Sequence, residues 1–106
     1  MIRASIYRKG SSYTGYHVEG HADYAEDGKD IYCAAVSMLV INTANCIEKL
    51  CGDNVEGSEK TGLLDIHFPE GLSKEGTLLV ETMIKGLKDL EKGDGKPYLE
   101  VIIEEE

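Results

Sequence analysis

Apolar and polar residues alternate from the start of the chain, with Ile2, Ala4 and Ile6 set against Arg3, Ser5 and Tyr7. A period of two places each set on its own face, so residues 2–8 predict a strand with one face buried. Gly10-Ser11-Ser12 is a turn signal, and residues 13–20 predict the second arm of a hairpin. Tyr16, Val18 and Gly20 then share one face of that arm, and His17, Glu19 and His21 the other. From Ile31 the period changes. Val36, Leu39, Val40, Thr43, Ile47 and Leu50 trace a helical stripe over about residues 31–50, with Asp30 as candidate N-cap and Gly52 closing the helix. Ala34, Ala35, Met38 and Ile41 make its first three turns apolar nearly all round. That predicts burial on a second side, under another helix or against another subunit.

Residues 54–68 predict a second hairpin, with Val55 in the first arm and Lys60-Thr61-Gly62 near the turn. Leu64, Ile66 and Phe68 share one face of its second arm. Beyond Pro69-Glu70-Gly71, the spacing of Leu79, Val80, Met83, Leu87 and Leu90 predicts a helix over about 73–92, with Ser73 as N-cap and Gly93 just past its end. Residues 93–97 read as a loop, and Leu99, Val101 and Ile103 alternate in a last strand. The order β-β-α-β-β-α-β gives an α+β fold with two layers: two helices beside a mainly antiparallel sheet. It forms one domain over residues 1–106, without repeats or low-complexity linkers.

Composition narrows the function. Twenty acidic residues against eleven basic ones leave a net charge of −9, which opposes direct nucleic-acid or anionic-membrane binding and favours a basic partner. Such acidity also serves plain solubility. The longest apolar run, 34–41, falls far short of the roughly twenty residues of a membrane span. The N-terminus lacks an apolar signal core, so a cytoplasmic location is expected. Three cysteines, Cys33, Cys46 and Cys51, show no disulfide-framework spacing and no CxxC pair, so free thiols are expected, with no metal and no cofactor.

The candidate chemistry lies in Gly20-His21-Ala22-Asp23 and Asp30-Ile31-Tyr32-Cys33-Ala34-Ala35-Val36-Ser37. Between them, residues 22–30 read as a mobile acidic loop. Cys33 falls where the apolar helix begins, and His21 where a strand ends. A helix N-terminus favours a thiolate, and its free N–H groups, those of Cys33 and Ala34, can receive an oxyanion. The small Ala34 and Ala35 leave room for a substrate backbone. The loop carboxylates at Asp23, Glu26, Asp27 and Asp30 work against the thiolate, so an imidazolium at His21 has to offset them. Each residue also has a plain structural reading. Cys33 fits as a small core hydrophobe, His21 as a solvated strand-end residue, Asp30 as an N-cap and Ser37 as a serine bonded back to its own helix. A metal half-site from His17 and His21 is disfavoured, because four residues of strand separate the rings by roughly 13 Å.

These two motifs resemble the signature of the ribosomal-processing cysteine protease family (Prp, or YsxB-like), and the likeness in length and element order spans essentially the whole chain. The resemblance implies a small cytoplasmic homodimer. It implies removal of a short N-terminal extension from a large-subunit ribosomal protein, the twenty-seventh in the standard naming. It assigns the catalytic pair to His21 and Cys33, and places the motif's aspartate and serine on Asp30 and Ser37, with Gly20 and Ala34 in support. One departure is Tyr32, where the family carries a small β-branched residue. A ring beside the nucleophile is expected to alter pocket shape or loop gating. The competing readings are a non-enzymatic acidic assembly factor for a basic ribosomal protein, and a redox sensor pairing Cys33 with Cys46 or Cys51. Helix rise separates those sulfurs by roughly 20 Å or more, against the sensor.

Overall fold

The computed structural model describes residues 1–20, 31–93 and 98–106. Five strands and two helices follow in the expected order: β1 (Ile2–Lys9), β2 (Ser12–Gly20), α1 (Ile31–Lys49), β3 (Glu56–Lys60), β4 (Leu63–His67), α2 (Lys74–Lys92) and β5 (Leu99–Glu105). They build a single sheet in the order β3-β4-β2-β1-β5. The β1–β2, β2–β4 and β3–β4 pairs are antiparallel, while β5 runs parallel to β1, pairing Leu99 with Ile2 and Ile103 with Ile6. A parallel neighbour needs a crossover, and α2 supplies it.

One sheet face carries the core. Ile2, Ala4 and Ile6 of β1, Tyr16 and Val18 of β2 and Ile66 of β4 are buried against Val36, Val40, Ala44 and Ile47 of α1 and Val80, Met83, Ile84 and Leu87 of α2. Each fully buried aliphatic side chain of this kind contributes about 1.5–3 kcal/mol. The opposite face keeps the polar partners. His17 and His67 both lie against Asp65, at 3.3 and 3.1 Å. Burial alone would raise the Asp65 pKa, but hydrogen bonds from His67 and His17 outweigh it and hold the carboxyl below its ordinary value.

The stripe of α1 departs from expectation at its end. Leu50 lies just past the helix and is 79 % exposed, because the chain turns away there through Gly52 at φ 73°. Ala44 is buried on the core side of the helix instead. Met38 is exposed at 64 % and Ala34 is exposed as well, so the apolar first turns are covered on one side and open on the other. The length and apolar composition of α1 would suffice to cross a membrane, and here Val36, Val40, Ala44 and Ile47 pack one side of it into the core. In α2, Ser73 is the N-cap as expected: its hydroxyl accepts from the Gly76 N–H at 3.0 Å.

Candidate active site

Cys33 is the third residue of α1 and half-buried, one turn before Ser37 on the same side of the helix. Both line a cleft of about 590 Å³ between α1 and the turn of the β3–β4 hairpin. The strand order makes this cleft. Because β4 pairs with β2, the turn at Thr61-Gly62 stands beside the end of β2, and the Gly20 N–H donates to the Gly62 carbonyl at 3.0 Å. Gly20 lines the same cleft and holds φ 96°, a left-handed conformation that suits only glycine, and a Cβ there would run into the Met1 carbonyl oxygen. Cys33, Ser37 and Gly20 therefore line one cleft.

Other expected residues lie elsewhere. Ala34 points to solvent and is not among the cleft residues. His21 and Asp30, with the rest of the acidic loop and Tyr24, lie outside the described residues. Tyr32 is not among the residues lining the cleft beside Cys33. Its ring rests on Tyr98 at the start of β5, with centroids 5.0 Å apart, and packs against the core away from the cleft. Tyr16 is fully buried, and its hydroxyl donates to the Val40 carbonyl of α1 at 2.6 Å. Cys46 and Cys51 are half-buried near the far end of α1.

Sequence reasoning missed the hairpin wall. Glu59, Lys60, Thr61 and Leu63 face the cleft across from α1. The turn signal at residues 60–62 was legible, but nothing local told which strand the hairpin would pair with. Among the described residues, no group of three His, Cys, Asp or Glu side chains is arranged to hold a metal ion. The described residues present a thiol at a helix start, beside a cleft whose apolar lining includes Val18, Val36 and Leu64.

Comparison with known proteins agrees with this arrangement. The family described as cysteine protease Prp matches residues 1–98. The ribosomal processing cysteine protease Prp of Bacillus subtilis (strain 168) is 34% identical over 108 residues, covering 95% of this chain and 96% of the relative. A crystal structure of the Streptococcus mutans protein SMU.848 superposes with a TM-score of 0.83 at 27% identity, covering 100% of this chain and 96% of that one. The essential ribosomal processing protease Prp of Staphylococcus aureus, solved with a covalently linked product peptide, shares the fold with a TM-score of 0.87 at 24% identity, over 98% of this chain and 100% of its own.

Proposed function

The chain belongs to the cysteine protease Prp family, and from that premise we propose that it removes the short N-terminal extension of a basic large-subunit ribosomal protein, the twenty-seventh in the standard naming. The observation that carries this reading is the placement of Cys33 at the start of α1, opening into a cleft large enough for a peptide. The Staphylococcus aureus relative holds its product peptide covalently, as an acyl-enzyme mechanism requires.

In the proposed reaction His21 takes the proton from the Cys33 thiol. The Sγ thiolate bonds to the scissile carbonyl carbon, and the first N–H groups of α1 receive the oxyanion. Collapse of the tetrahedral intermediate breaks the C–N bond, with His21 giving its proton to the departing amine. Water, deprotonated by His21, then attacks the thioester, releasing the carboxylic acid and restoring the thiol. Asp30 orients His21 or caps α1, and Ser37 stands ready to hydrogen-bond a substrate carbonyl.

The surplus of nine negative charges attracts a basic ribosomal protein and speeds encounter. The protein acts in the cytoplasm as a homodimer on this reading, and the exposed Ile31 and Met38 of α1 offer apolar surface for a second subunit. The test is mass spectrometry of the unprocessed ribosomal protein after incubation with this protein and with its Cys33→Ala variant. One N-terminal cut made only by the unmodified protein is expected. No cut, together with a stable complex on gel filtration, would replace the protease by a non-enzymatic assembly factor.

A further inference from the structure

The sheet order leaves one side of β5 without a neighbouring strand. Two contacts show which of its backbone groups face that side. The Ile2 N–H donates to the Tyr98 carbonyl and the Glu106 N–H to the Arg8 carbonyl, so even-numbered residues face β1 and odd-numbered ones face outward. The outward Val101 N–H is taken by the Glu91 carboxylate of α2 at 2.8 Å. The Val101 carbonyl and both backbone groups of Ile103 point to the side that no strand occupies. The opposite edge is blunted. There β3 reads Glu-Gly-Ser-Glu-Lys, fully exposed and without an apolar side chain, whereas β5 keeps Val101-Ile102-Ile103 half-buried. Charge and glycine discourage strand addition, and β-branched residues favour it. Carboxylates frame the β5 edge. Glu100 and Glu105 pair with Arg3 and Arg8 of β1 at 2.9 and 2.7 Å, but Glu104 between them has no ion pair among the described residues. A hollow of about 420 Å³, bordered by Met1, Glu91, Lys92, Leu99 and Glu100, leaves room for an incoming chain at the start of the strand.

We propose that the β5 edge docks an extended basic segment of a partner protein, added as a further strand with its cationic side chains beside Glu100 and Glu104. Main-chain hydrogen bonds to Val101 and Ile103 hold such a strand, and its alternate side chains choose the partner. Charge decides the occupant. A second copy paired edge to edge would set two acidic strands against each other, and like charges directly opposite are destabilising. A basic strand meets opposite charge along the same row. The residues of this edge do not line the Cys33 cleft, so a segment docked here leaves the cleft open. The inference goes beyond peptide cleavage and stands whether or not the cleft cuts.

The test titrates a fluorescein-labelled peptide of about eight residues, lysine alternating with valine, onto the whole chain by fluorescence anisotropy. Saturable binding is expected, and a peptide alternating glutamate with valine should not bind. Glu104→Lys, at an exposed position, is expected to weaken binding at least tenfold. Ile103→Pro, which removes an outward N–H that an edge strand can lose, should do the same. N-methylated peptides repeat the test on the unmodified protein. Alternate N–H groups of a strand face opposite sides, so methylating the valines should abolish antiparallel docking and spare the lysine-methylated peptide, with the reverse for parallel docking. Equal effects of the two methylations, or unchanged affinity in Glu104→Lys, would reduce the binding to diffuse attraction by an acidic surface and overturn the proposal. No binding of the lysine–valine peptide would overturn it as well. A dimer on gel filtration that Ile103→Pro dissociates would give the edge to a second copy instead.

Discussion

The Tyr16 hydroxyl donates a hydrogen bond to the Val40 carbonyl at 2.6 Å, tying the centre of the sheet to the helix that carries Cys33 in its first turn. The ring also meets Phe68 edge-on, with centroids 6.0 Å apart, and Tyr16 has no exposed surface. This bond fixes the height of α1 over β2, and with it the distance of Cys33 from the hairpin turn.

Tyr16→Phe is expected to cost about 1 kcal/mol, lowering the melting temperature by roughly 4–8 °C. Burial pushes the Tyr16 hydroxyl above the ordinary pKa of about 10, so the unfolded chain gives up this proton first. The stability it contributes is complete below about pH 10 and is lost as pH rises towards the raised folded value. Thermal melts across pH 8–11 should show a shallower alkaline decline in the variant. Tyr7 and Tyr13, also raised mainly by burial, keep part of the slope.

The N-terminus of α2 is held from two directions. The Ser73 hydroxyl caps the Gly76 N–H, while the Ser73 N–H and hydroxyl both donate to Asp53 Oδ2, at 3.0 and 2.8 Å. Ser73→Ala should lose about 1 kcal/mol in urea unfolding. Because Asp53→Ala removes one of the same bonds, the double variant should lose less than the sum of the two.

Gly20→Ala is expected to damage both fold and activity. A left-handed conformation costs a non-glycine residue roughly 1–2 kcal/mol, and the collision with the Met1 carbonyl adds to that. The end of β2 must then shift, and with it the Gly62 contact that shapes the cleft. Melting temperature and peptide cleavage should fall together. Cleavage at the wild-type rate by a folded Gly20→Ala protein would remove Gly20 from the site.

The three thiols should separate under alkylation by iodoacetamide near neutral pH, followed by peptide mapping. Cys33 is expected to react first and to be protected by substrate peptide. Cys51 should lag, since burial, followed by the charges of Asp53, Glu75 and Cys46, raises its pKa and keeps the thiol protonated. Equal rates at all three positions would contradict a special role for Cys33.

Element types and order were written locally. Alternation in β1 and β5, the 3.6-residue stripes of α1 and α2, and the Ser73 cap all depend on neighbours within a few residues of chain, and apart from Leu50 at the end of α1 they appear where expected. Cys33 at a helix start was legible for the same reason, and the motif around it pointed to the family. Side-chain periodicity, however, says which face is apolar and never what lies opposite it. Pairing between distant segments decided that β4 sits beside β2, which brings Lys60 and Leu63 to the cleft and leaves β3 uncovered. Packing across the layers turned Tyr32 onto Tyr98 and left Leu50 in water. The sequence by itself determined the elements and the place of Cys33 at a helix start, because those follow from short-range geometry. Only the tertiary structure decided the cleft, because it arises between segments whose contact no local pattern encodes.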